Sequence, residues 1–219
     1  MPERASVSPT AAARRAPGKI VCVGRNYVEH ARELGNEVPA EPLLFLKPPS
    51  SVIATGETIV IPPYTSRVEH EGEIGVVIGE RLVRASPEEA RSAIGAIAAV
   101  NDVTARDLQR SDGQWTRAKG FDTFCPVGPP SATVPALEKL VVVTRVNGEE
   151  RQRGRASDMA FAIPVLLSYI SHVMTLEPGD LVATGTPAGV GPISAGDVVE
   201  VEVVGSSLVR NPVSFLAVE

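Results

Sequence analysis

The sequence predicts an α+β fold, predominantly β, and three observations carry that expectation. Short runs of aliphatic and β-branched residues recur along the chain, separated by Pro, Gly and Ser. Only residues 158–174, "DMAFAIPVLLSYISHVM", read as a long helix, apolar nearly all round and therefore buried. Asn147-Gly148 stands between two extended segments, a strong hairpin signal. Together they indicate curved, mixed β structure with a few helices, in one domain over 19–219.

The elements follow in order. Residues 1–18 are rich in Ala, Arg, Pro and Ser without periodicity, and read as a flexible tail; a transit peptide shares the Arg and Ser bias. "KIVCVGR" (19–25) is a strand, and "NYVEHARELG" a short helix with Asn26 as N-cap and Gly35 as stop. "PLLFLK" (42–47), "SVIAT" (51–55) and "TIVIP" (58–62) are short strands, and a further strand spans about 71–79. "SPEEARSA" carries a capping box, Ser86 answered by Glu89 with Pro87 at the first helical position. "AIGAIAAVNDVTA" (93–105) is another apolar run, and the tail from Gly179 alternates strand and turn.

Composition narrows the function. A net charge of −5 and a pI near 5.4 argue against nucleic acid or anionic membrane as partners. With aromatics at 4%, stacking platforms for single strands are scarce. No apolar run reaches the ~18 residues of a membrane helix. Cys22 and Cys125 lie in apolar surroundings and read as buried free thiols in a reducing compartment, which indicates the cytoplasm.

The chemistry concentrates in "VEHEGEIGVVIGE" (68–80). Alternation along a strand points Glu69, Glu71 and Glu73 to one face, leading into an apolar run covered on both sides. Like charges so placed repel, and burying them unpaired costs several kcal/mol, so positive charge or water must lie nearby. Asp102 ends the second apolar run. If these strand ends adjoin, Glu71, Glu73 and Asp102 form an oxygen-only cluster suited to Mg2+ or Mn2+. The alternative from spacing alone is a solvated acidic strand end neutralised by Arg67 or Arg106.

Seven motifs, in order, extend the reading: "GRNYVEH" (24–30), "EPLLFLKP" (41–48), "HEGEIGVVIG" (70–79), "NDVTARDLQ" (101–109), "KGFDTFCPVGP" (119–129), "VNGEERQ" (146–152) and "TGTPAGVGP" (184–192). Together they resemble the fumarylacetoacetate hydrolase family, closest to its short acylpyruvase and oxaloacetate decarboxylase-like members. The resemblance implies a mixed β roll around a Mg2+ ion, or Mn2+, held by Glu71, Glu73 and Asp102, and a homodimer. Glu69 is expected in a supporting role or paired with a basic residue. The roughly 18 residues before the first strand leave no room for the N-terminal β domain of fumarylacetoacetase, which argues against fumarylacetoacetate as substrate.

His30 and Glu33, at i and i+3 on one helix face, suit a carboxylate-oriented imidazole, as well as an ordinary surface pair. In the family such a pair sits on a segment that orders over the substrate, which makes His30 a general base. The same resemblance assigns Lys119, in an irregular segment, to the oxoacid, and Lys47, Arg106, Gln109 and Thr186 to substrate binding. His70, alternating with the ligands, and His172, on the long helix, are expected to serve packing.

The implied function is action on 2-oxo acids through a cation-stabilised enolate. C–C hydrolysis of acylpyruvates is expected first, oxaloacetate decarboxylation or tautomerisation second, and 2-hydroxyhepta-2,4-diene-1,7-dioate (hydroxymuconate-type) isomerisation third. A non-catalytic oxoacid-binding protein ranks last, because ligands, dyad and lysine are all present.

Overall fold

A computed structural model describes residues 17–33, 35 and 39–216, so nearly all of the expected tail lies outside the described residues. The fold is α+β and mainly β. The first five-stranded sheet runs Leu43–Lys47, Ile20–Gly24, Leu181–Ala183, Gly72–Ile78 and Ile94–Asn101. It is mixed: Ile20–Gly24 pairs parallel with Leu181–Ala183, and the other neighbours are antiparallel. The second runs Glu149–Arg155, Val141–Val146, Val198–Val203, Ser207–Phe215 and Ile59–Ile61. Its hairpin turns at Asn147 and Gly148, both at positive φ (53° and 83°), as the Asn-Gly pair requires.

The main core lies where these sheets meet. Val21, Ile74, Val76 and Ile97 of the first sheet join Val142, Val201 and Val203 of the second. Glycine permits the close approach. A Cβ on Gly72 would lie 1.9 Å from the Thr144 hydroxyl of the opposite sheet.

The capping box forms as expected: the Glu89 N–H donates to Ser86 Oγ (3.3 Å) and the Ser86 N–H to Glu89 Oε2 (2.7 Å). Three expectations need correction. The long helix covers only Ile163–Val173, because Pro164 belongs in its first turn; of the expected span, Asp158 ends a 3-10 turn and residues 159–162 are irregular. It is also one-sided: Ile163, Leu166, Leu167 and Ile170 are buried, whereas Val165 and Val173 are exposed. Asn26 is no N-cap. The helix is Val28–Glu33, and the buried Asn26 amide donates to the carbonyls of Thr184 (2.8 Å) and Phe161 (3.1 Å), while its oxygen accepts from the Phe161 N–H (2.9 Å). A side chain of cap type has been used to tie two distant segments together.

Among the described residues, no helix is long and apolar enough to cross a membrane.

Candidate active site

The strand containing Glu69 ends before the strand containing Glu73 begins. Val68–His70 belongs to a separate three-stranded sheet with Thr104–Ala105 and Gly191–Pro192, and Glu71 is the joint. This divides the acidic row. Glu69 turns to Arg67 and Arg106, both at 2.6 Å, and so takes the basic partner that the charge argument demanded. Glu71 and Glu73 flank Gly72, which pairs with Asn101 in antiparallel register, and the next N–H, of Asp102, donates to the Glu71 carbonyl (2.8 Å). Register therefore brings Asp102 beside Glu71 and Glu73 across 30 residues of chain. One carboxylate oxygen from each lies within 4.8 Å of the others, and all three side chains are buried.

Two lysines and an arginine answer this charge. Lys119 Nζ donates to Glu71 (2.7 Å) and Asp102 (2.6 Å), Lys47 Nζ to Asp102 (2.6 Å), and the Arg106 guanidinium contacts Glu71. Burial works against the Glu71 charge, but Lys119 and Arg106 outweigh it and hold the carboxyl well below its usual range. Burial likewise opposes the Lys119 charge, and Asp102 and Glu71 overcome it, raising the ammonium pKa.

Glu73 differs. It accepts the Gly185 N–H (2.7 Å), and among the described residues no basic side chain lies within 4.0 Å of it. Burial, then Asp102 and Glu71, push its carboxyl well above the ordinary value. A buried carboxylate short of one positive charge, with two further carboxylates in reach and only oxygen donors, fits a hard divalent cation.

A small cavity of about 60 Å3 opens on this cluster. His30, Gln109, Lys119, Arg106 and Thr186 line it together with the three carboxylates. His30 is buried, with Nδ1 3.3 Å from Glu33 Oε2, which leaves Nε2 as the nitrogen available to a substrate. Glu33 is held by the Gly189 N–H at 3.1 and 3.2 Å. Gln109 accepts from Arg106, and among the described residues its NH2 has no acceptor, so it can donate. Thr186 donates to the Gly72 carbonyl (3.0 Å) and accepts from Gln152 (2.8 Å).

Two placements differ from expectation. Lys119 sits in a short helix, Thr116–Gly120, rather than an irregular segment, with its ammonium 4.9 Å from the centre of the Phe45 ring. Lys47 does not line the cavity. Its ammonium donates to Asp102 and the Val103 carbonyl (3.2 Å), which braces one carboxylate of the cluster.

His70 bonds Gln152, and His172 is exposed with Nδ1 2.9 Å from the Ser168 carbonyl. Sequence reasoning missed Arg25, Phe45 and Trp115, which also line the cavity. Phe45 and Trp115 stack edge to face at 5.3 Å. Arg25, at φ 58°, turns the chain out of the first strand, a backbone conformation that its residue type does not announce.

A mainly β roll with a cation-ready carboxylate cluster beside a histidine–carboxylate pair defines a small-molecule enzyme of one architecture. The chain belongs to the fumarylacetoacetate hydrolase family: the fumarylacetoacetate (FAA) hydrolase C-terminal domain matches residues 19–214. It is 46% identical over 188 residues to human "oxaloacetate tautomerase FAHD1, mitochondrial", covering 83% of this chain and 85% of that protein. The crystal structure of 2-hydroxyhepta-2,4-diene-1,7-dioate isomerase from Mycobacterium marinum superposes with a TM-score of 0.85 at 44% identity, covering 93% of this chain and 77% of that one. Fumarylpyruvate hydrolase from Pseudomonas aeruginosa, crystallised with Mn2+ and pyruvate, gives a TM-score of 0.86 at 32% identity, each chain covered to 91%.

Proposed function

We propose that the protein is a Mg2+-dependent enzyme, Mn2+ substituting, that acts on small 2-oxo acids by proton transfer next to the 2-oxo group. Glu71, Glu73 and Asp102 would hold the cation, which when bound supplies Lewis-acid charge where a substrate oxygen becomes negative. The carrying observation is the buried His30, held through Nδ1 by Glu33 and opening by its other nitrogen on the same small cavity as the carboxylates.

His30 Nε2 takes a proton, and Glu33 stabilises the imidazolium that results. From oxaloacetate the proton comes from the carbon between the two carbonyl-bearing carbons. The electron pair passes to the 2-oxo oxygen, and protonation there completes keto–enol tautomerisation. From an acylpyruvate, His30 instead takes a proton from water, which attacks the distal carbonyl; the C–C bond then breaks, releasing the acyl group as a carboxylic acid and leaving the bonding electron pair on a pyruvate enolate, which takes up the proton from His30. Lys119 adds positive charge beside the developing oxyanion, and the free Gln109 amide donates to a substrate oxygen.

The sequence alone favours acylpyruvate hydrolysis. The tautomerase relative moves oxaloacetate tautomerisation ahead of it, and the Mn2+–pyruvate complex of the fumarylpyruvate hydrolase favours hydrolysis as the second reading. Isomerisation of hydroxymuconate-type substrates ranks third. The homodimer and the cytoplasmic setting belong to the same proposal; sedimentation checks the first and cell fractionation the second.

The test is one panel read by ultraviolet absorbance: enol-oxaloacetate, acetylpyruvate and a hydroxymuconate analogue, each with Mg2+, Mn2+ or EDTA. The expected result is cation-dependent turnover, fastest for enol-oxaloacetate. Absence of turnover of all three with either cation overturns the proposal.

A further inference from the structure

Gln152 lies on the strand Glu149–Arg155 of the second sheet, which carries none of the proposed site residues. Its side chain is nevertheless buried against the first sheet, and all four of its hydrogen-bonding positions are used. Oε1 accepts from the Gly72 N–H (3.0 Å) and faces His70 Nδ1 (3.1 Å). Nε2 donates to Thr186 Oγ1 and to the Pro187 carbonyl, both at 2.8 Å. The orientation of the amide is forced, because Gly72 N–H can only donate and Pro187 O can only accept. It follows that His70 carries its proton on Nδ1.

One end of this amide grips the residue between Glu71 and Glu73. The other grips the turn that begins at Thr186. That turn also packs on the Gln152 strand at Gly189, where φ is +95° and a Cβ would lie 2.1 Å from the Arg151 carbonyl. The Gly189 N–H in turn holds Glu33, and Glu33 holds His30. A path of hydrogen bonds, joined by the backbone at Gly72 and along Thr186–Gly189, therefore runs from the carboxylate cluster through Gln152 to the histidine.

We propose that Gln152 is a positioning residue: it sets the distance between the carboxylate cluster and the His30–Glu33 pair by clamping the Thr186–Gly189 turn to the strand that carries Glu71 and Glu73. The inference rests on the reading of His30 as the base. Gln152 touches no substrate; it acts through the turn. Side-chain amides elsewhere in the fold are not equivalent. Asn26 ties the same region to Phe161, but it reaches neither Gly72 nor the Glu33 anchor.

The test is a double-mutant cycle on the cation-loaded enzyme, with Gln152→Asn and His30→Ala singly and together. Asparagine keeps the amide but is one methylene too short to span both segments. Gln152→Asn is expected to lower kcat about 10-fold, within the range for groups that orient reacting side chains, with KM changed less than about threefold. In the His30→Ala background the same substitution is expected to cost less than about twofold, because the group it positions is gone. Gln152→Met, which keeps the length and removes every hydrogen bond, is taken through the same cycle, so that poor folding of one variant leaves the other. Equal fold losses in both backgrounds mean a general loosening and overturn the clamp while leaving the base intact. If His30→Ala alone turns over normally, the base assignment fails and the clamp falls with it.

Discussion

Glu73→Gln isolates the one carboxylate in the cluster that lacks a cationic partner. Its charge lies within 4.8 Å of two others. At an effective dielectric constant near 20, each such pair repels by about 3 kcal/mol, and Lys119 offsets only part of the total. Glutamine keeps an oxygen to accept the Gly185 N–H and carries no charge. The metal-free variant is therefore expected to be more stable than the native protein by about 1–2 kcal/mol, a rise of about 2–8 °C in melting temperature for a chain of this size. The sign follows from the direction of the shift. A carboxyl raised above its ordinary value of 4.5 adds no penalty below that pH and an increasing one above it, so the gap opens as pH rises past 4.5. With Mg2+ at 100 times its dissociation constant the native protein gains about 2.7 kcal/mol, and the variant, missing a ligand, gains far less. Melting curves in EDTA and in Mg2+, across a pH series, read both effects. A variant that melts lower than native in EDTA yet keeps the full Mg2+ shift would refute the cation site.

Lys119→Met has the opposite sign: it strips Glu71 and Asp102 of a shared partner and is expected to cost about 3–5 kcal/mol in urea titrations of the metal-free protein, part of it restored by Mg2+. Unchanged urea midpoints would remove Lys119 from the cluster. Acid should destabilise the fold through carboxylates held below their ordinary values. Burial opposes the charge of Glu71 and of Asp107, but Lys119 and Arg106 outweigh it for Glu71, and hydrogen bonds from Ser66 and Thr65 bring Asp107 to about 2. Their contribution is complete above the ordinary values of 4.5 and 3.8 and is lost as pH falls toward 2; Asp107→Asn should flatten that decline in urea midpoints, and an unchanged slope counts against it. Burial raises both thiols, Cys125 to about 12, so Ellman's reagent should label neither Cys22 nor Cys125 until denaturant is added. Rapid labelling of the native protein would contradict the packing.

Much of the β framework was legible because its signals are local. Asn147-Gly148 dictates a turn through its own backbone preference, and Ser86 and Glu89 cap a helix within one turn. The apolar run of the long helix continues N-terminally past the place where Pro164 marks the first turn, so the pattern extends further than the helix. Asn26 misled for the same kind of reason. Cap residues are hydrogen-bonding residues, and only the fold decides whether the nearest N–H or a carbonyl more than a hundred positions away receives the bond.

The site divides along the same line. Residue types and spacing offered Glu71, Glu73 and Asp102 as an oxygen cluster and His30 with Glu33 as an oriented imidazole, each beside an ordinary surface reading; the family resemblance chose between those readings and added Lys119. Only the tertiary structure decided that Glu69 leaves the row for Arg67 and Arg106, that Lys47 braces Asp102, and that Gln152 spans two sheets to reach Gly72 and Thr186. Pairing register and the closing of one sheet on another set which charges meet. Those contacts join residues far apart in the chain, and no local pattern encodes the distance between them.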